Sequence, residues 1–89
     1  MYLAKVIGTV VSTSKDERLV GFKLLLTQRI DATGTSVGAQ EVSVDTIGAG
    51  VGETVIITRG RSARFAADRP QAPLDGTIVG IVDVVEVED

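Results

Sequence analysis

Apolar and polar residues alternate along much of the chain, in a pattern that predicts strands rather than long helices. Residues 3–13 are rich in β-branched residues and residues 21–30 alternate, so together they predict a first hairpin around the polar residues 14–18. Residues 54–59, with the sequence TVIITR, predict another strand because Thr, Val and Ile favour a pleated backbone. Residues 77–87 are apolar on both faces, which predicts a last strand that packs on its own core and on a neighbouring subunit.

The chain between the first hairpin and residue 46 divides into a loop and a strand. Residues 31–39 concentrate Gly, Thr, Ser and Asp, a composition typical of a mobile loop. Residues 40–46 then alternate with a period of two, which predicts a half-buried strand. The alternation places the valines inward and the polar residues outward: Val42 and Val44 inside, and Glu41, Ser43 and Asp45 outside.

One short helix is predicted between the fourth and fifth strands. Residues 62–67 are the only stretch that predicts a helix, with Ser62 able to cap its first turn and with Pro70 and Pro73 ending it. Five short strands with one helix in this order predict an all-β fold, a small closed or partly open barrel of the OB type. The length of 89 residues suits a single domain, spanning residues 1–89.

The composition indicates a folded protein that gains stability from association. The chain is 44% hydrophobic and 24% charged, which disfavours disorder, but a domain of this size buries a limited share of its surface. Without Cys it has no disulfides, so oligomerisation is the remaining common source of stability. The first residues do not resemble a leader and no apolar run reaches membrane-spanning length, so we expect a cytoplasmic protein with no membrane partner.

The lack of His and Cys restricts the chemistry that the chain can perform. It cannot by itself supply a Ser-His-Asp triad, a thiolate nucleophile, or an imidazole or thiolate metal site. The carboxylates of Asp45, Glu53, Asp75 and Asp83 are available as an acid and a base, but their spacing does not require that role. Turn or cap hydrogen bonds better explain Asp45 and Asp75 at strand edges. Carboxylate or Lys chemistry, or an enzyme whose site is completed by another chain, remains open at this point, and the sequence identifies no catalytic, cofactor-binding or metal site.

Three glycines, Gly48, Gly50 and Gly52, lie two residues apart after an alternating strand, as a phosphate-binding loop would begin. A dinucleotide-binding loop needs G-x-G-x-x-G before a helix, but here the third glycine comes one residue early and a strand follows. The sequence does not fit a P-loop either, because Val55 stands where the first glycine of that motif should be and the lysine is replaced. The glycines are therefore predicted to form a tight connection between strands that another backbone can approach closely.

Opposite charges concentrate in two parts of the sequence. This arrangement suits a head-to-tail ring in which one subunit's basic surface meets the next subunit's acidic edge, and a solvated surface without such contacts is an equally open reading. The basic residues are Arg59, Arg61, Arg64 and Arg69, and the acidic residues are Asp83, Glu86, Glu88 and Asp89.

Nucleic-acid binding is the alternative function that an OB-type barrel raises. Such binding needs a positive groove with aromatic stacking platforms. The chain has a net charge of −3 and only three aromatic residues, Tyr2, Phe22 and Phe65, of which two are expected in the core or an interface. The arginine cluster alone keeps this alternative open, and we expect no nucleic-acid partner.

The segments AKVIGTVVSTSKD, GFKLLLTQ, DTIGAGVGETVIITRGRSAR and IVGIVD resemble, in this order, the EutN/CcmL family of bacterial microcompartment vertex proteins. The resemblance covers nearly the whole chain. It implies small OB-like barrels that assemble as homo-pentamers, cap the vertices of a polyhedral shell in the cytoplasm, and meet hexameric and trimeric shell proteins. A structural function without catalysis follows from the same resemblance.

Individual positions also match the family and are therefore candidate assembly or fold residues. The family has a glycine-rich connection and a Ser-Ala-Arg segment where a short helix starts. At Arg61 the sequence departs from the family, whose members often carry Ser there. The matching positions are Gly48, Ala49, Gly50 and Gly52 in the connection, and Ser62, Ala63 and Arg64 in the segment.

Overall fold

Five strands form a closed barrel in a computed structural model that describes residues 1–13, 15–69 and 74–88. The strands neighbour one another in the order β1-β2-β3-β5-β4, and β4 returns to β1. This architecture confirms the predicted all-β barrel with one short helix. The elements are β1 Tyr2–Val10, a 3₁₀ turn Glu17–Leu19, β2 Lys23–Ile30, β3 Ser36–Asp45, β4 Thr54–Arg59, α1 Gly60–Ala66 and β5 Gly76–Val82.

Aliphatic side chains from four of the strands fill the barrel. Each of the largest core side chains is fully buried, and burying such a side chain contributes about 1.5–3 kcal/mol to the stability of the fold. Most are β-branched, which suits both the pleated backbone and the narrow interior. The core side chains are Val6 on β1, Leu25 on β2, Val55 and Ile57 on β4, and Ile78 on β5.

The prediction for the faces of β3 was wrong. Val42, expected inside, is 54% exposed, whereas Ser43, expected outside, has no exposed surface. The register explains the reversal, because Ser43 lies opposite the core residue Leu25. The Ser43 hydroxyl lies 2.9 Å from that of Thr27, so the buried hydroxyls satisfy one another. Val42 and Val44 point to the outer side of the barrel.

Two further residues complete the reversed pattern of β3. Asp45, also predicted outside, is buried and its Oδ1 accepts hydrogen bonds from the Ile47 and Gly48 amides at 3.1 and 3.2 Å. This confirms the predicted turn hydrogen bonds of Asp45, and Lys23 Nζ lies 3.8 Å from its other oxygen. Val44 is buried as predicted, but on the outer side of the barrel, opposite Leu24 of β2.

The predicted loop over residues 31–39 is shorter than expected, since β3 already begins at Ser36. The carboxylate of Asp31 organises the remaining turn by accepting hydrogen bonds from the Thr33 hydroxyl and from the amides of Thr33 and Thr35. These bonds, the one from the Thr33 hydroxyl first, lower the pKa of Asp31. Two backbone amides of the turn are thereby paired, and β2 and β3 form an extended hairpin.

Helix α1 begins two residues earlier than predicted, and Ser62 does not cap it. The first residue, Gly60, donates its amide to the Asp75 backbone carbonyl at 2.9 Å and to the Asp75 carboxylate at 3.2 Å. A residue distant in sequence therefore supplies the acceptors expected from Ser62. The carboxylate bond confirms the predicted cap role of Asp75.

A backbone motif ends α1 before the predicted proline stop. Asp68 adopts a positive φ of 56°, its amide donates to the Phe65 carbonyl, and the Arg69 amide donates to the Arg64 carbonyl. This pair of bonds is a Schellman motif, in which a left-handed residue satisfies the last free carbonyls. Pro70 and Pro73, predicted to end the helix, lie outside the described residues.

Strand β5 ends at Val82, earlier than the predicted residue 87. It pairs antiparallel with β4 over most of its length but parallel with β3 only through Val44–Thr77 and Asp45–Ile78. Beyond Ile78, the edge of β5 that faces away from β4 has no partner strand in the described part of the chain. An unpaired edge is a template for pairing with another chain.

The glycine-rich connection is held against β1 by backbone hydrogen bonds, as a close backbone approach predicts. The Gly52 amide donates to the Val6 carbonyl at 2.8 Å, and the Val6 amide donates to the Glu53 carbonyl at 3.0 Å. Gly48 and Gly52 have φ of 87° and 94°, which strongly favour glycine. Ala49 between them is buried in the core.

Gly50 differs from the other two glycines because its φ lies outside the left-handed region. Its amide donates to the Glu53 carboxylate at 2.6 Å, and a Cβ at position 50 would lie 3.3 Å from the same oxygen. The constraint at Gly50 is therefore the closeness of a carboxylate. Gly48 and Gly52 are instead required by their backbone angles.

We predict that Gly52→Ala lowers the free energy of unfolding by about 1–2 kcal/mol, because the added Cβ disfavours a positive φ. A Cβ there would meet nothing within 4 Å, so the cost is purely conformational. Denaturant unfolding followed by circular dichroism, at one protein concentration, measures the change. The matched control is Gly8→Ala, whose Cβ would meet Leu26 at an ordinary 3.7 Å. Equal stability of the two variants would contradict this assignment.

Candidate assembly surfaces

A cluster of charged side chains from β2, β3 and β4 surrounds Tyr2, the first residue of β1. The Tyr2 hydroxyl donates a 2.8 Å hydrogen bond to the Glu41 carboxylate. The guanidinium carbons of Arg29 and Arg59 lie 4.5 and 5.8 Å from the centre of the Tyr2 ring. The sequence did not group Arg29 or Glu41 with Tyr2, because only the register of β1, β2 and β3 brings them together. Glu41, predicted outside, is partly buried at this position.

Arg59 connects this cluster to the start of α1. Its Nη2 lies 2.7 Å from an Asp75 oxygen and 3.7 Å from a Glu41 oxygen. The hydrogen bond from Arg59 is the main reason that the pKa of Asp75 is lowered and that the pKa of Arg59 is raised. The same carboxylate accepts from Gly60, so Asp75 binds both the last residue of β4 and the first residue of α1.

Burial raises the pKa of Tyr2 to about 12, with the Glu41 hydrogen bond and negative charge as the next contributions. The arginines Arg29 and Arg59 oppose this shift because they stabilise a tyrosinate. The neutral phenol is therefore the form that the fold favours. Its stabilising effect is fully present below pH 10 and is lost as the pH rises towards 12.

The arginines predicted as one cluster are engaged separately. Arg61 lies 5.5 Å from the centre of the Phe65 ring, and Arg69 lies 4.9 Å from that of Phe22. Arg69 also donates to the Arg18 backbone carbonyl at 3.4 Å. Stacking on a ring leaves much of a guanidinium's hydrogen-bonding capacity available, so these arginines remain able to bind carboxylates.

The Ser-Ala-Arg segment lies within α1, and its three residues have different surroundings. Ala63 is fully buried, and its carbonyl accepts a 2.8 Å hydrogen bond from the buried Thr77 hydroxyl of β5. This contact fastens α1 to the barrel. Ser62 is exposed and Arg64 is partly buried in the last turn of the helix. Arg64 has no ion pair within 4 Å to a described carboxylate, although its charge contributes to lowering the pKa of Asp75.

The acidic residues that follow β5 form an exposed extension, residues 83–88, which we call the C-terminal arm. The arm has no regular secondary structure, and its valines Val84, Val85 and Val87 are 71%, 42% and 66% exposed. Because β4 and β5 are antiparallel, α1 and the arm leave opposite ends of this strand pair. The predicted basic and acidic regions are therefore separate on one subunit. Asp89 lies outside the described residues.

The four carboxylates considered for catalysis have different surroundings. Asp45 caps a turn, Glu53 binds the Gly50 amide, Asp75 pairs with Arg59, and Asp83 is exposed in the arm. Over residues 1–13, 15–69 and 74–88, no group of three or more acidic residues is placed to hold a metal ion. Within the same ranges, no helix has the length and apolar character needed to span a membrane.

Comparisons with known proteins identify relatives over nearly the full length of the chain. Residues 1–83 match a family described as "Ethanolamine utilisation protein EutN/carboxysome". A bacterial microcompartment shell vertex protein, GrpN of Rhodospirillum rubrum, is 52% identical, with 97% of each chain covered. The carboxysome shell vertex protein CcmL of Synechocystis is 49% identical, covering 98% of this chain and 87% of its own.

The solved structures include a protein with the same fold and comparable size. It is the GrpN pentameric microcompartment shell protein from Rhodospirillum rubrum, with a TM-score of 0.88, 50% identity and full coverage of both chains. These relatives are structural shell proteins. The comparisons therefore favour a role in a protein shell over the nucleic-acid alternative.

We predict that Tyr2 titrates with a pKa of about 12, and that Glu41→Gln lowers this value towards 10 without reaching it, since burial is the larger cause. The chain has one Tyr and no Trp, so tyrosinate absorbance during an alkaline titration reports Tyr2 alone. Glu53→Gln, a carboxylate that binds Gly50 instead, is the matched control and should leave the midpoint unchanged. A wild-type midpoint near 10 would contradict the described environment.

Proposed function

We propose, because this chain belongs to the EutN/CcmL family of bacterial microcompartment shell vertex proteins, that five copies close into a ring that caps a shell vertex. The observation that carries the proposal is the agreement in both sequence and fold, over the full chain, with a pentameric microcompartment shell protein. Residues 1–89 act as one vertex domain in this proposal. No chemical step is assigned to it, and its role is structural.

The physical basis of the function is curvature. A flat sheet of six-fold tiles does not close, whereas five-fold units at its vertices allow a closed polyhedron. A ring of five requires a head-to-tail interface between two different surfaces of the subunit, with a rotation that closes after five copies. Hexameric and trimeric shell proteins are the proposed neighbours of the ring in the shell.

Features of the subunit support a head-to-tail contact. The free edge of β5 and the acidic arm lie at one end of the β4–β5 pair. Helix α1 with its arginines lies at the other end. Two unlike surfaces of opposite charge suit a heterologous interface, and the charges guide the orientation of the partners more than they add affinity. The exposed valines of the arm supply apolar area for the same contact.

The residues that match the family are proposed to act in two ways. In the glycine-rich connection, Gly48 and Gly52 are proposed to shape the turns through their positive φ, Ala49 through its burial, and Gly50 through its bond to the Glu53 carboxylate. In α1, Ala63 fastens the helix to β5, and Arg64 is proposed to contact the neighbouring subunit or its supporting loop. Ser62 is exposed on the same helix.

The function is tested in a cell that makes the remaining shell proteins but lacks this chain and any paralogue of it. We predict open or elongated shells, which electron microscopy distinguishes from closed polyhedra. Expression of the wild-type chain should restore closure, whereas Arg64→Glu should restore it poorly, because the reversed charge would face the acidic surface of the next subunit.

The matched control for Arg64→Glu is Lys15→Glu, a charge reversal at an exposed position before the first 3₁₀ turn. This variant should restore closed shells as the wild type does. Normally closed shells in cells without the chain would contradict the proposed function. Equal restoration by the Arg64 variant would leave the function in place and remove Arg64 from the contact.

A further inference from the structure

We propose that the C-terminal arm of one subunit binds in a cleft on the outer surface of the next subunit. The inference rests on the proposed ring and names the surfaces that hold it together. It follows from three features of the subunit: an apolar cleft that none of the described residues fills, an arginine near that cleft without an ion pair to a described carboxylate, and an exposed segment that combines valines and acids.

The cleft lies on the outer side of β2 and β3, where the reversed faces of β3 place its valines. It has a volume of about 170 Å³. Sites for small molecules usually enclose about 300–1,000 Å³, so this cleft is suited to a few side chains rather than to a metabolite. The apolar residues that line it are Leu19, Leu24, Val42, Val44 and Leu74.

Three arginines contact or neighbour residues that line the cleft. Asp75 lines one side and is bound by Arg59 at 2.7 Å. Leu19, another lining residue, follows Arg18, which is paired with Asp16 at 2.8 Å and whose backbone carbonyl accepts a hydrogen bond from Arg69. Arg69 has no ion pair to a described carboxylate, so an apolar floor beside this arginine favours a segment that combines apolar and acidic side chains.

The arm has this composition, with the sequence DVVEVE over residues 83–88. In an extended backbone, Val85 and Val87 lie on one face, and Glu86 and Glu88 lie on the other. The valines are exposed in the subunit, so binding would bury apolar surface that water now contacts. With its valines in the cleft, the arm places its glutamates at the mouth, within reach of the long arginine side chains.

The position of the arm points to the cleft of another copy rather than to its own. Asp75 and Gly76, which line the cleft, precede β5, whereas the arm follows it. The seven residues of β5 span about 23 Å at the usual rise, so the arm would have to fold back along its own strand. An extended arm of six residues reaches about 20 Å, comparable to the subunit's shorter dimensions of 23 and 22 Å. It therefore spans most of the width of a neighbour.

Engineered disulfides test the contact, and the natural chain has no Cys to interfere. We predict that Val42→Cys combined with Val85→Cys or with Val87→Cys gives, on mild oxidation, covalently linked chains up to the size of five subunits. A disulfide forms only where Cα atoms come within about 7 Å, so linkage reports direct proximity. Non-reducing denaturing electrophoresis separates linked oligomers from single chains.

The control is Val42→Cys combined with Val84→Cys, because Val84 lies on the opposite face of the arm and should link at least tenfold less. Each single variant should give single chains only. If the reduced variants elute as five-copy rings but oxidation yields only intrachain bonds or free thiols, the arm proposal is wrong and the ring stands. Equal linkage from Val84 would also overturn it. If the wild-type chain does not form five-copy rings, the proposed function itself fails.

Discussion

The barrel is closed by a short parallel contact between β3 and β5, and the other features of the structure depend on it. Two residue pairs join these strands, Val44 with Thr77 and Asp45 with Ile78. At this contact Ile78 enters the core, and the Thr77 hydroxyl reaches the Ala63 carbonyl to fasten α1. Because the contact is so short, the rest of the outer edge of β5 has no partner strand among the described residues. The interaction that completes the subunit thus also leaves it with an edge available for another chain.

The same closure organises the polar groups around the barrel. Asp75, one residue before β5, caps α1 and binds Arg59, which in turn approaches Glu41 and Tyr2. An exposed ion pair of this kind contributes little by itself. The role of the pair is geometric, because the contacts that Arg59 and Asp75 share hold β1, β3, β4 and α1 near one another. The arginines of α1 are consequently presented on one side of the subunit while the acidic arm extends from another.

Much of the fold was predictable because its signals are local. The sequence TVIITR indicated β4 at its observed limits, and the number of strands together with the short helix indicated a barrel. A period of two, however, defines which residues share a face and not which face is buried. On β3 the long-range register with β2, which sets Ser43 opposite the core residue Leu25, decided that question and reversed the prediction. The cap of α1 failed for the same reason, since Asp75 is fifteen residues away from Gly60 in sequence.

The candidate surfaces were predictable in part. The unequal distribution of charge and the apolar faces of the last strand already suggested a ring, and the family resemblance specified five copies. Tyr2, Arg29 and Glu41 could not be grouped from the sequence, because their proximity depends on the register of three strands. The outer cleft was equally hidden, since it exists only because Val42 and Val44 face outward. Both features arise from strand pairing, which a single sequence specifies less directly than it specifies the strands.

The most direct test of the account is the mass of the purified protein in solution, measured by native mass spectrometry and light scattering over a range of concentrations. The account predicts a species of five times 9.3 kDa, about 46 kDa, since a heterologous contact that closes after five copies leaves no free ends. A protein that stays at 9.3 kDa, or that forms assemblies of another closed number, would contradict it.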